Sequence, residues 1–317
     1  MKYRSLGKTD LVVSEVGFGV WTLSTDWWGR IEERDGIMLI NEALDLGINF
    51  FDTADSYSHG YGEEIITKSI GKKRNNLIIG TKFGYDFYTS EQGDQSQERP
   101  QNFSPSFVRY ACEQSLRRLN TDYIDIYQIH HPNLDMMEND DLFEILESLI
   151  NEGKIRYYGY SLNSSTDWSQ EWELSIRERN PHSVQMVYNI LEQEPAISLF
   201  PIAAETTAGL LSRAPHASGI LDGTYDAYSR SPHMGDVCME TSLKKLHQLD
   251  FLTQETDATL GQIAIQFALA QPYIASVLPD ITNHHKLREF ALSPETPQLD
   301  KESLYHAADL YDHNFYI

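Results

Sequence analysis

Three consecutive apolar segments of this chain end in residues capable of acid-base chemistry. Asn49-Phe50-Phe51-Asp52 ends in an acid, with Tyr57 shortly after it. Leu77-Ile78-Ile79-Gly80-Thr81-Lys82 ends in a lysine, and Ile124-Asp125-Ile126-Tyr127-Gln128-Ile129-His130 in a histidine. A free tyrosine, with a pKa of about 10, is a poor proton donor at neutral pH unless a neighbouring cation lowers that value. Lys82 is the candidate cation and Asp52 its counter-ion. His130 is the candidate donor to a carbonyl oxygen, or a proton relay. The quartet suits protonation of an oxygen as hydride arrives at the adjoining carbon. Taken singly, each residue has a plain structural explanation: Asp52 could cap a turn, Tyr57 could pack, and His130 precedes another histidine, His131. The argument rests on all four standing at successive strand ends.

Those ends converge only if the segments are parallel strands. Eight runs read as strands: Val13–Gly19, Asn49–Ala54, Leu77–Phe83, Ile124–His130, Ile155–Ser161, Ser183–Tyr188, Gly209–Ala214 and Ile274–Pro279. They are short, apolar and rich in β-branched or aromatic residues, as strands buried on both faces should be. Amphipathic segments lie between them, among them Glu33–Leu46, Ser104–Leu119, Asp140–Glu152 and Thr259–Ala270. Ser104-Pro105 has the look of an N-cap followed by proline at the first helical position, and Gly153 that of a C-cap. Alternation of this kind predicts an α/β fold, a (β/α)8 TIM barrel whose strand ends open onto one face. Lys2–Ser5 and Leu11–Val13 predict an N-terminal β-hairpin that plugs the other end. Thr89–Asn102 and His216–Asp236 read as loops over the candidate active face. Trp21 ends the first strand as a candidate pocket wall; Trp27, Trp28 and Phe87 follow in loops.

The 317 residues suit one barrel domain, 1–317, with added loops and C-terminal accessory helices. A formal net charge of −22 disfavours nucleic acid and anionic lipid as partners. The two cysteines, Cys112 and Cys238, fit no metal-ligand spacing, and no metal is expected. The start of the chain carries no signal-peptide pattern and no apolar run reaches membrane-spanning length, so a cytoplasmic location is expected.

The ordered motifs resemble the aldo-keto reductase superfamily along nearly the whole chain. They are Leu46-Gly47-Ile48-Asn49-Phe50-Phe51-Asp52-Thr53-Ala54-Asp55-Ser56-Tyr57, then Gly62-Glu63-Glu64, then Ser115-Leu116-Arg117-Arg118-Leu119 through to His130, and Glu152-Gly153-Lys154-Ile155-Arg156-Tyr157-Tyr158-Gly159. The resemblance implies reversible hydride transfer between a nicotinamide cofactor and an aldehyde or ketone, a sugar among the candidates. It makes Tyr57 the general acid/base, Lys82 the cation beside it, Asp52 the partner of Lys82 and His130 the carbonyl-orienting group. It assigns Ser161 and Gln185 to the nicotinamide amide and Arg213 to the nicotinamide side. It assigns Asp280, Lys286 and Glu289 to the adenosine side. NADP(H) is expected ahead of NAD(H), although Asp280 would repel a phosphate and an acid can hold a ribose hydroxyl instead. The alternative reading is a nucleotide-binding regulatory barrel with little or no turnover.

Overall fold

The computed structural model describes residues 1–25, 29–71, 73–88, 100–163, 168–224, 239–254 and 256–317. An antiparallel hairpin, β1 (Tyr3–Ser5) and β2 (Val12–Ser14), precedes eight parallel strands. These are β3 (Phe18–Gly19), β4 (Phe50–Asp52), β5 (Ile78–Phe83), β6 (Ile124–His130), β7 (Ile155–Ser161), β8 (Ser183–Val187), β9 (Gly209–Arg213) and β10 (Ile274–Leu278). Each strand pairs with its sequence neighbour, in the order β3 to β10. The ring closes where Val16 meets Val277: Gly17 N–H donates to Val277 O at 2.9 Å and Val277 N–H to Glu15 O at 2.8 Å. This is a (β/α)8 barrel with an N-terminal hairpin.

The outer layer comprises α1 (Trp21–Ser24), α2 (Glu33–Asp45), α3 (Tyr61–Ile70), α4 (Pro105–Leu119), α5 (Leu134–Met137), α6 (Asp140–Asn151), α7 (Gln170–Arg179), α8 (Ala196–Glu205), α9 (Met239–His247), α10 (Leu260–Leu269), α11 (His284–Ala291) and α12 (Lys301–Asp312). Local chemistry sets several of their ends. Thr259 and Gln262 form a reciprocal capping box that starts α10. Pro105 opens α4 at a position whose N–H would have no partner within the helix. Ser104 precedes it, but its hydroxyl donates to Asn102 instead of capping the helix. Beyond the last barrel helix, α12 supplies the expected C-terminal addition.

The main core lies between strands and helices, and a smaller core fills the bottom of the barrel. The hairpin region contributes Leu6, Leu11 and Val13 to that smaller core, against Phe50, Ile78, Ile126 and Leu211. The plug is clamped as well as packed. Arg4 pairs with Glu15 at 2.6 Å and donates to the carbonyl of Ile274 at 3.0 Å. Gly7 sits at φ +53, where an added Cβ would lie 2.2 Å from Thr207 O.

Two expectations need correction. Val13 belongs to the hairpin, and the first barrel strand begins five residues later. Ser14 marks the crossing: its backbone N–H is held by the Asn49 side chain at 2.7 Å and its hydroxyl donates to Val16 O at 2.7 Å. The segment after β9 has the turns expected of a loop, but over residues 215–221 it is buried instead of lying on the surface. His216, Ala217, Ile220 and Leu221 are buried. Their small and polar neighbours give the segment a loop-like composition, while these four side chains pack inward. Residues 225–236 of that predicted loop, 89–99 of the other, Trp27, Trp28 and Cys238 lie outside the described residues.

Candidate active site

Strand register brings the four leading residues to one end of the barrel. Asp52 on β4 stands opposite Gly80 on β5; Lys82 on β5 stands opposite Gln128 on β6; His130 on β6 stands opposite Ser161 on β7. Side chains alternate along a strand, so Lys82, Gln128 and His130 occupy equivalent inward rows. Gly80 leaves room beside them: a Cβ there would stand 3.3 Å from both Asp52 Oδ2 and Gln128 Nε2.

Lys82 is completely buried and donates through Nζ to Asp52 Oδ1 and, at 2.8 Å, to Thr53 O. The other oxygen of Asp52 accepts from Gln128 Nε2 and Gln185 Nε2, each at 2.9 Å. The carboxylate therefore has three donors, which offset the cost of burying it. Lys82 Nζ lies 5.3 Å from the centre of the Tyr57 ring. That ring meets His130 edge-on at 5.9 Å. Tyr85 packs edge-on against His130 from another side at 5.1 Å, and its hydroxyl bonds His131 Nδ1 at 2.8 Å.

Above this cluster opens a cavity of about 720 Å³. Asp52, Tyr57 and His130 line it, with Ser161, Gln185 and Arg213 along one wall and Trp21 and Asp280 at another. Lys82 lies beneath the lining. Gln185 is held at both ends of its amide, since Ser161 Oγ donates to Gln185 Oε1 at 3.2 Å while its nitrogen serves Asp52. Arg213 gives Nη2 to Leu162 O at 3.0 Å, while its buried Nε has no hydrogen-bond partner among the described residues. Burial pushes the Arg213 pKa down, against the attraction of Tyr57, Glu192, Asp52 and Asp280.

The remaining predicted residues divide. Trp21 opens α1 instead of ending the first strand, which stops at Gly19; its Nε1–H donates to Asp280 Oδ1 at 2.8 Å, so the aromatic wall and the acid after the last strand are one unit. Burial pushes the Asp280 carboxyl up to about 7; Asp222 adds to that shift, while Trp21, Lys286 and Arg213 oppose it. Lys286 and Glu289 on α11 do not line the cavity. Lys286 Nζ is bound to Asp222 Oδ2 at 2.6 Å and Thr224 Oγ1 at 3.0 Å. Burial works against the Asp222 charge, yet His216, Lys286 and the bonds from Lys286 and Thr224 hold its pKa below the usual range. Burial lowers the pKa of His216 itself, so Lys286 supplies the attraction at neutral pH. Glu289 accepts from the Thr259 hydroxyl.

Gln128, Ser56, His59 and Tyr85 join the site without having been expected there. Gln128 is the third donor to Asp52, and its position two residues before His130 was the available signal. Ser56, His59, Tyr85 and His131 add polar and aromatic groups to the cavity lining. Phe87 stands behind His59, edge-on at 5.6 Å. Beneath Tyr57, buried Glu63 joins Thr81 and Arg118, while Arg118 and Asp55 both meet the Tyr88 hydroxyl. Burial, then the nearby Glu63 charge, raises the Asp55 pKa well above its ordinary value. Among the described residues no group of three or more His, Cys, Asp or Glu could hold a metal ion, and no helix is long and apolar enough to cross a membrane.

The chain matches the family model described as "Aldo/keto reductase family" over residues 15–311. The chain belongs to that family and is an oxidoreductase. It is similar to the uncharacterized oxidoreductase YqkF of Bacillus subtilis (strain 168), 32% identical over 96% of this chain and 94% of the relative. The aldo-keto reductase YhdN of the same organism is 30% identical over 86% of this chain and 82% of its own length. Among solved structures, the holo form of aldo-keto reductase AKR11C1 from Bacillus halodurans aligns with a TM-score of 0.81 and 32% identity, over 98% of this chain and 96% of that one.

Proposed function

We propose that this chain interconverts an aldehyde or ketone with the corresponding alcohol, using a nicotinamide dinucleotide and Tyr57 as proton donor and acceptor. One observation carries the reading: the Tyr57 ring, the Lys82 ammonium and the His130 ring meet at the floor of the cavity whose wall presents Ser161, Gln185 and Arg213. The wall suits the cofactor chemically. Ser161 and Gln185 offer the donor and acceptor atoms that a carboxamide needs, and the buried Arg213 Nε is a donor with no partner among the described residues. A nicotinamide bound there supplies the hydride.

The protein supplies position and a proton. His130 orients the carbonyl oxygen toward Tyr57. In reduction Tyr57 Oη gives its proton to that oxygen, and Lys82 stabilises the phenolate left behind; oxidation runs through the same groups in reverse. Asp52, held by Gln128 and Gln185, keeps the Lys82 ammonium in place. The polar groups of the lining suit a carbonyl compound bearing hydroxyls, a sugar among them. The acidic surface and the absence of a membrane-spanning helix among the described residues fit a protein that acts on small molecules in the cytoplasm, away from nucleic acid and membrane.

The test is Tyr57→Phe, assayed by reduced-cofactor absorbance against aldehydes, ketones and sugars. Turnover should fall about 10²- to 10⁴-fold, with dinucleotide affinity retained. Turnover that survives the substitution removes Tyr57 from the chemistry. Binding without turnover by the unmodified protein, across the whole panel, would replace this reading with the regulatory barrel.

A further inference from the structure

Resting on the dinucleotide reading above, we infer that the far end of the cavity selects a dinucleotide with an unmodified adenosine ribose, NAD(H), over its 2′-phosphorylated form, NADP(H). Parallel α/β barrels commonly bind phosphate at the loops after the seventh and eighth strands, beside the N-terminus of a short helix. Here those are the segments following β9 and β10, and the helix is α11. The charges placed there are of the wrong sign for an added phosphate.

Three carboxylates stand in this region, Asp280 on the cavity wall and Asp222 and Glu289 outside the lining. Asp280 is within electrostatic reach of Asp222. Asp222 and Glu289 approach each other across Gly261, whose missing Cβ would stand 3.3 Å from Asp222 Cβ and 3.4 Å from Glu289 Oε1. Among the described residues the cations on α11 are each placed against a carboxylate, and the guanidinium of Arg213 lies on the nicotinamide side. Lys286 is buried with its ammonium on Asp222 and Thr224. His284 and Arg288, also on α11, both bind Glu42. His285 is exposed and lies 3.8 Å from Glu289.

A phosphomonoester brings a charge of roughly −1.5 to −2 at pH 7. To receive it, Lys286 would have to leave Asp222, stranding a buried carboxylate, with Glu289 and a partly ionised Asp280 still present. A ribose diol makes the opposite demand. Its hydroxyls donate, and a carboxylate oxygen is the acceptor they need. Asp280 gives one oxygen to Trp21, which fixes the carboxylate on the wall. The sequence resemblance points to NADP(H), and the charges in the folded chain point the other way.

The experiment uses full-length protein free of cofactor, with Kd for NADH and NADPH measured by titration calorimetry. NADH should bind at least tenfold more tightly. Asp222→Asn releases Lys286 and removes one repelling charge, so NADPH should tighten at least tenfold while NADH changes less than threefold. Glu289→Gln, on a half-buried helix face, provides a second variant if the first fails to fold, and it should narrow the preference in the same direction. NADPH binding as tightly as NADH in the unmodified protein overturns the inference and leaves the dinucleotide reading intact. Binding of neither cofactor overturns both.

Discussion

Lys82→Met separates two tasks of one side chain. Methionine keeps much of the length and apolar stem while removing the ammonium. In the folded protein that ammonium bonds Asp52 and Thr53 O, with almost no exposure to water. Removing one partner of a buried ion pair costs about 3–5 kcal/mol. Asp52 would keep the amides of Gln128 and Gln185, so the lower part of that range applies, about 3 kcal/mol. An unfolding entropy of about 2.1 cal/mol/K per residue gives roughly 0.7 kcal/mol/K for a chain of 317 residues, and so a Tm drop of roughly 4–5 °C. Turnover should fall about 10²- to 10³-fold, the usual scale for loss of one electrostatic stabiliser. The double variant Lys82→Met/Asp52→Asn removes the stranded carboxylate. Calorimetry should then show at least half of the lost Tm restored, with turnover still at the level of the single variant. A single variant with unchanged Tm would refute the buried-pair argument. A double variant that regains turnover would refute the role given to the Lys82 charge.

Other expectations follow from single groups. Asp280 holds its proton longer in the folded chain, with a pKa of about 7 against the ordinary 3.8. The folded state therefore binds more protons than the unfolded one in that window, and stability falls as pH rises from about 4 to about 7. At roughly 1.4 kcal/mol per pH unit, the burden above pH 7 is on the order of 4 kcal/mol. Asp280→Asn should melt higher than the parent at pH 8, with the gap closing by pH 4; a gap independent of pH would contradict the burial argument. Gly7→Ala forces a Cβ against the Thr207 and Ala208 backbone at a left-handed φ. It should cost more than about 1 kcal/mol and make the hairpin the first site of limited proteolysis; cleavage identical to that of the parent would show the plug is not clamped there.

The sequence disclosed the parts of this fold governed by local rules. Short β-branched runs became strands, Thr259 and Pro105 marked helix starts, and the acid, tyrosine, lysine and histidine at three strand ends came together because parallel strands leave them no other side to emerge on. Gln128 was legible in principle through the period of two that it shares with His130. The pairings that decide the far end of the cavity were not. Lys286 and Asp222 are 64 residues apart and Trp21 and Asp280 are 259 apart. No local propensity links them, and the closing of the ring brings them into contact. The buried stretch from His216 to Leu221 was hidden for a related reason: its composition reads as loop, and its burial depends on contacts such as the Phe290 ring, tilted against His216 at 4.3 Å.

The join between β3 and β10 gives the barrel an uneven grip on itself. Elsewhere neighbouring strands share a ladder, six paired residues between β6 and β7, whereas this join rests on a single bridge at Val16 and Val277. Side chains fasten it from above, the Trp21 indole to Asp280 and the Thr22 hydroxyl to Ile281 O at 2.8 Å. The ring thus works like a bracelet whose clasp lies at the cavity rim. Amide protons at residues 16–19 should trade with solvent sooner than those of β6. A ligand seated across Trp21 and Asp280 holds the clasp shut and lends its binding energy to the whole hoop, so slowed exchange in strands it never touches would be the signature of its arrival.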